Sequence, residues 1–439
     1  MRIRPTPPVA DLALPWDAPV IDAVAAVAAA RAEHGDTFAA VSGGDTYLFC
    51  FSPTGVDSFY ALPEDVASKG VADYLMLRRK LPDEVFDGRR TLPGTLFRKD
   101  DVATYLAALD LALDAEVAAL GEAGTVDLFA LTRRLGHRMG LASWGGPGSA
   151  VGDTFDALAT DLDLLDGAAS FVHPDTMRAV AENGYAEERA ALERVLDRLG
   201  PAVDAAAADP AGHGLLGRIA AAWADAPPAV ARLGAALDVV LVHVASMSNL
   251  NAALGWVLVD LLAHPEALGR VRAGEREYAA RCALESTRLA QRSIMSRHVL
   301  QPLTLDTGAA SYEVGRGVTI ATLLPLTNLD PALGHDTWDP ERWDRHRFTD
   351  TAGLGSPRLV TAFGHGRHTC PAQPFSLAAM SAAATRLLTS YDVEQAWSAR
   401  PRPVPAQIGG VARADGPCEV RYRARASSVA TSRAGAVSR

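Results

Sequence analysis

Phe363-Gly-His-Gly-Arg-His-Thr-Cys370-Pro-Ala372 is the stretch whose reading decides this 439-residue sequence. Three metal-capable side chains, His365, His368 and Cys370, stand close together in it. A closed zinc site needs four ligands and an open one needs three that converge. The sequence offers no second Cys/His cluster to complete either. A second reading is a Gly-rich turn around a buried Cys. A third is a thiolate loop laid against a flat iron porphyrin, with glycines that let the backbone approach the ring.

Upstream lie two further charged motifs, Glu285-Ser-Thr-Arg288 and Trp338-Asp-Pro-Glu-Arg342-Trp343. Before them runs Val239–Val259, 21 residues without a formal charge and long enough to span a membrane. It carries His243, Ser246, Ser248, Asn249 and Asn251, all costly in lipid. A buried central helix over 230–264 is therefore expected, started after Pro227-Pro228 and ended at Pro265.

Apolar periodicity places further helices at 21–34, 102–118, 126–141, 154–165, 175–199, 215–226, 266–290 and 374–388. Two β-prone runs, Thr37–Ser42 and Thr46–Phe51, flank Gly43-Gly44-Asp45 and read as a hairpin. The Pro-rich first twenty residues are expected on the surface. Gly145-Gly146-Pro147-Gly148-Ser149 matches neither the dinucleotide-binding nor the nucleophile-elbow pattern and reads as a loop after a helix. No repeat or Gly/Ser linker divides the chain. The expectation is one mainly α domain with a minor β portion over 1–426, and a small, polar, disordered tail over 427–439.

The chain is 49% hydrophobic with a net charge of −10. That acidity gives no purchase on a phosphate backbone, so nucleic acid is not an expected partner. Cys50, Cys282, Cys370 and Cys418 are too far apart for redox or zinc motifs, which suits a reduced cytoplasmic protein. No continuous apolar run follows Arg2 and Arg4, so neither a signal peptide nor a membrane association is read. Only Lys69, Lys80 and Lys99 are lysines among the 42 basic residues, a bias typical of high-GC bacterial coding.

The Cys370 loop resembles the heme-binding signature of the cytochrome P-450 family, F-G-x-G-x-[HR]-x-C-x-[GA]. Phe363, Gly364, Gly366, His368, Cys370 and Ala372 fall on it. Glu285-Ser-Thr-Arg288 matches that family's E-x-x-R helix, and Trp338–Trp343 its F-x-P-E-R-[FW] segment with Trp leading. The three occur in the family's order, and the likeness runs on through the N-terminal hairpin and Tyr391-Asp-Val-Glu. It implies a single-domain cytochrome P-450 fold with heme b between the central helix and the Cys loop. It implies Cys370 as axial iron ligand, Gly364 and Gly366 beneath the ring, and His368 on a heme propionate. Glu285, Arg288 and Arg342 would form a buried triad that holds the loop. Arg297, nine residues past Arg288, stands where the family often has a propionate-binding Arg. Arg98 or Lys99 is a further candidate of that kind. His365 is expected to be structural.

One segment departs from the family. Most members carry [AG]-G-x-[DE]-T in the central helix, sixteen residues before a Pro, where acid and alcohol relay protons to dioxygen. Here the segment is Ala245-Ser-Met-Ser248-Asn249. With Trp256 seven residues on, it looks like the branch holding cholesterol 7α-hydroxylase and prostacyclin synthase. Ser248 and Asn249 are thus the candidate catalytic residues. An Asn amide can both donate and accept, and so hold a water or a substrate oxygen. Ser246 and Ser248 could extend a water chain or bond back within their own helix. His243 reads as a core histidine or a substrate contact. The resemblance implies a monooxygenase that oxidises a small, mostly apolar specialised metabolite, with electrons from a separate ferredoxin and ferredoxin reductase. The alternative is an atypical heme-thiolate isomerase, dehydratase or peroxygenase, because the acid–alcohol pair is replaced.

Overall fold

The computed structural model describes residues 3–88, 96–97, 102–167 and 174–425. Two short strands, β1 (Ile3–Arg4) and β2 (Val9–Ala10), precede helix α1 (Ala23–His34). The expected surface run of the N-terminus is wrong. β2 pairs with the hairpin, and Leu14 and Trp16 are buried. Asp17 accepts hydrogen bonds from Ser42 Oγ at 3.0 Å and Gly43 N at 2.7 Å. The prolines only limit which backbone groups can donate; the apolar residues between them still seek the core.

The hairpin forms as expected from β3 (Thr37–Ser42) and β4 (Asp45–Cys50), in register from Thr37↔Cys50 to Ser42↔Asp45. Its two-residue turn, Gly43-Gly44, has positive φ at both positions, as the tight turn between twisted strands demands. Helix α2 (Pro53–Ala61) is capped by the Ser52 hydroxyl, and α3 (Lys69–Leu77) by that of Ser68, from the short strand β5 (Ala67–Ser68).

Helix α4 (Val102–Leu120) leads into β6 (Ala123–Asp127) and α5 (Leu128–Gly140). Helices α6 (Gly152–Asp166), α7 (Pro174–Glu182), α8 (Ala186–Ala208) and α9 (Gly214–Ala222) follow. The continuous helix expected over 175–199 is two helices, parted at Gly184 and Tyr185, both left-handed. The expected helix over 266–290 is likewise two, α11 (Pro265–Arg272) and α12 (Arg276–Ala290), parted at left-handed Gly274. Periodicity persists across such a break because both pieces turn an apolar face to the same core.

Between these pairs runs α10, Pro228–Ala263, the 36-residue central helix. At 1.5 Å per residue it is about 54 Å long and crosses the whole molecule. It is the one helix among the described residues long and apolar enough to cross a membrane. Here its apolar faces are covered by α5, α8 and α12. Strands β7 (Ile294–Val299), β8 (Leu303–Asp306), β9 (Ser311–Val314) and β10 (Val318–Leu323) complete the two sheets that β1 to β5 begin. The largest has order β2-β3-β4-β10-β7-β5, with β10 parallel to β4. Helix α13 (Gln373–Ser390) closes the helical part.

His243 joins the central helix to α5. Trp144 Nε1–H donates to His243 Nδ1 at 3.2 Å, so the His243 proton sits on Nε2 and donates to His137 Nδ1 at 2.9 Å. His137 then donates from Nε2 to Asp163 Oδ1 at 2.5 Å. His243 is 1% exposed and is a core histidine, not a substrate contact. Burial, and then the neighbouring His137 charge, hold its pKa well below the ordinary imidazole range. The unfolded chain therefore takes up a proton near pH 6.5 that the folded chain refuses, and stability falls as pH drops below about 6.5. We expect this group to contribute a slope of up to about 1.4 kcal/mol per pH unit. Urea midpoints of wild type and His243→Gln between pH 7 and 5 measure it. An unchanged slope in the variant would remove His243 as its source.

Candidate heme-thiolate site

The Cys370 loop closes on itself. Cys370 N donates to Phe363 O at 2.7 Å, and Thr361 Oγ1 links Phe363 N and Gly364 O at 3.2 and 3.1 Å. Gly364 has φ +81°, and a Cβ there would meet His368 O at 2.5 Å, so only glycine fits. Its requirement comes from the loop's own backbone. Gly366 also has positive φ, but open space surrounds it. That is where a flat ligand could lie close to the chain. Phe363 is half-buried and packs on the main core.

Cys370 is half-buried just before α13. Burial pushes its thiol up, while the Ala372 and Gln373 backbone N–H groups and the Lys69 ammonium favour the thiolate. Cys370 thus stands just before a helix start, whose positive end suits an anionic metal ligand. His365 Nε2 donates to Val360 O at 3.0 Å and its ring stands edge-on to Tyr60, a structural role as expected. His368 Nε2 is buried and, among the described residues, has no hydrogen-bond partner. Burial, then the Arg297 charge, lower the His368 pKa. A buried donor without an acceptor costs about 1–3 kcal/mol. A heme propionate beside it would supply the missing acceptor.

Arg297 is 1% exposed, so it is no surface arginine. It donates from Nε to Ala67 O at 2.9 Å, from Nη1 to Phe59 O at 3.0 Å and from Nη2 to Glu64 at 3.3 Å. Three of its five N–H groups tie β7 to α2 and β5. Any propionate contact falls to the remaining two. Arg98 and Lys99 lie outside the described residues.

The triad assembles as the motifs imply. Arg288 grips Glu285 with two bonds of 2.8 and 2.7 Å, both residues fully buried. Arg342 Nη1 reaches Glu285 at 3.4 Å, Trp343 Nε1 at 2.9 Å and Asp339 N at 3.1 Å. Arg288 Nη1 also donates to Asn328 O at 2.5 Å and His335 O at 2.6 Å. Asn328 carries the connection onward. Its side chain accepts from Thr361 N and donates to Thr361 O, both at 2.8 Å. Sequence reasoning missed Asn328, since an Asn in a Leu-Thr-Asn-Leu-Asp-Pro run looks like ordinary turn chemistry.

The central helix exposes Ala245 and Asn249, one turn apart, within a segment that is otherwise mostly buried. Ser246 and Ser248 are half-buried and make no hydrogen bond among the described residues, so the back-bonding alternative is not seen. Asn249 Oδ1 accepts from Val411 N at 2.9 Å, and Nδ2 points to Ala245 O at 3.4 Å. One lone pair of its oxygen and one N–H are thus engaged within the protein, which leaves a second lone pair and a second N–H for a water or ligand. Among the described residues no three His, Cys, Asp or Glu side chains gather to hold a metal ion, so the zinc reading finds no site there.

Residues 235–420 match the family model for cytochrome P-450. The chain is 30% identical over 161 residues to cytochrome P-450 165B3 of Amycolatopsis orientalis, covering 36% of each chain. It is 25% identical over 220 residues to 24-hydroxycholesterol 7-alpha-hydroxylase of Homo sapiens, covering 41% of this chain and 42% of that one. Sterol 14-demethylase of Arabidopsis thaliana is 32% identical over 125 residues, 27% and 25% of the two chains. The matched stretches span about a quarter to two fifths of these curated relatives.

Removing the charge from Glu285 leaves the Arg288 guanidinium buried without a counter-ion, a loss of about 3–5 kcal/mol. Glu285→Gln is expected to be heme-poor and to unfold at lower urea. Asn328→Ala is expected to lose heme with a smaller stability loss, about 1–3 kcal/mol. A Glu285→Gln protein with normal heme content and urea midpoint would show that the triad does not hold the loop.

Proposed function

As a member of the cytochrome P-450 superfamily, whose cofactor is heme b, this chain is, we propose, a monooxygenase. It oxidises a small, mostly apolar molecule with dioxygen and electrons from a separate protein. The observation that carries this is Cys370, at a helix start in a loop closed by its own N–H on Phe363 O and fixed through Asn328 to a fully buried Glu285–Arg288 pair. A heme held by Cys370 supplies a thiolate push that favours O–O cleavage.

The chain's own residues then have distinct tasks. His368 offers Nε2 to a propionate, and the two uncommitted N–H groups of Arg297 lie in the same neighbourhood. Gly364 and Gly366 shape the floor beneath the ring. On the opposite face, the Ser248 hydroxyl is uncommitted and can pass a proton through water. Beyond its bonds to Val411 and Ala245, Asn249 keeps one oxygen lone pair and one amide N–H for a water or substrate oxygen.

Finer points belong to the same proposal. We put the chain on the hydroxylase side of the branch that its Ala245–Asn249 segment and Trp256 resemble, and a 25% match to a human 7-alpha-hydroxylase supports that reading. A ferredoxin with its reductase is the proposed electron source, and a cytoplasmic, bacterial, specialised-metabolite setting the proposed context.

The purified protein is expected to give a heme-thiolate carbon monoxide difference spectrum, and Cys370→Ala to lose it. With surrogate ferredoxin and reductase it is expected to consume NADPH and dioxygen in the presence of an apolar probe such as a sterol. Persistence of the spectrum in the variant would overturn the ligand. Heme loading without any NADPH-dependent oxygen uptake would overturn the enzyme.

A further inference from the structure

Asn249 and Trp256 are seven residues apart, two turns along one face of the central helix. Both reach the same loop. Asn249 Oδ1 accepts from Val411 N at 2.9 Å, and Trp256 Nε1 donates to Ala412 O at 2.6 Å. Side chains lean toward a helix's N-terminus, so the longer indole can reach back to a peptide group two along from the one Asn249 holds. The Asn249 amide cannot be turned over. A peptide N–H requires oxygen on one side, and the Ala245 carbonyl requires nitrogen on the other.

The loop is held equally firmly from its other edge. Gly409 N donates to Arg292 O and Arg292 N to Gly410 O, both at 2.8 Å, and Ala412 N donates to Ala290 O at 3.0 Å. Gly410 has φ +65°, and a Cβ there would stand 2.1 Å from Asn249 Oδ1. The loop thus approaches the helix as closely as a glycine permits, at the point where Asn249 is exposed in an otherwise mostly buried segment.

We propose that Asn249 and Trp256 form a two-point clamp on residues 409–412. Asn249 is a positioning residue that fixes this loop as a wall of the open space beside the central helix. The inference rests on the heme-thiolate reading only in taking that space for the substrate side. It explains the replacement of the usual alcohol. A Thr hydroxyl is too short to hold Val411 N, whereas an Asn carbonyl reaches it. It also explains why the motif pairs this Asn with a Trp two turns on.

Hydrogen exchange of the 406–414 peptide in the full-length, heme-loaded protein tests the clamp. Loss of one neutral hydrogen bond is expected to speed exchange about three- to ten-fold. Asn249→Ala and Asn249→Thr are expected to show this increase, and Trp256→Phe, which keeps the ring but not the N–H, to show it as well. Asn249→Asp keeps the acceptor and is expected to restore wild-type protection. Unchanged exchange in Asn249→Ala, or Asn249→Asp no better protected than Asn249→Ala, would overturn the clamp. So would unchanged exchange in Trp256→Phe, a readout that serves even if the Asn249 variants fail to fold. The carbon monoxide spectrum of the same samples reports separately on the heme-thiolate reading.

Discussion

Glu285 has both carboxylate oxygens inside the protein, facing the Arg288 guanidinium, the Trp343 indole and the Asp339 peptide N–H. Taking such a charge out of water costs several kcal/mol, which is recovered only if every lone pair finds a donor. That requirement shapes the surrounding chain. The segment 334–343 must fold back so that Asp339, Arg342 and Trp343 all face one carboxylate. Arg288, once aimed at Glu285, has spare N–H groups that go to the carbonyls of Asn328, His335 and Thr337. Asn328 in turn holds both backbone groups of Thr361, where the Cys loop begins. Cys370 is therefore placed by a buried ion pair far earlier in the chain, whose Arg288 reaches the loop through the Asn328 amide.

The parts of this arrangement legible in the sequence were those set by spacing. Glu285 and Arg288 are one helical turn apart, and the loop's glycines and Cys370 come at fixed intervals. The hairpin could be read because Gly43-Gly44 supplies the turn conformation locally. Asn328 could not be read, because its importance lies in two contacts with a residue 33 positions away. The breaks at Gly184 and Gly274 were hidden for a related reason. Hydrophobic periodicity reports which face is buried, and that face continues across a kink that only the backbone angles reveal. Arg297 was found by its offset from Arg288, but spacing says nothing of which acceptors a long side chain meets. Three of its five N–H groups go to the Phe59 and Ala67 carbonyls and the Glu64 carboxylate.

The polar residues of the central helix divide by face. His243 and Asn249 are six positions apart, about 240° around the helix, and so point to different sides. His243 faces α5 and belongs to a chain of donors from Trp144 to Asp163 whose every proton has a fixed place. Asn249 faces open space, and its oxygen is already bonded to Val411. A helix that had to be apolar for burial alone would carry neither. One polar face fixes the helix in rotation against α5, and that rotation decides what the other face presents. Turning the helix by a single residue position, 100°, would break the His137–His243 contact and also move Asn249 away from the 409–412 loop. The geometry on the open side is thus set by hydrogen bonds on the closed one, and the buried histidine, though it touches no ligand, constrains what the site can hold.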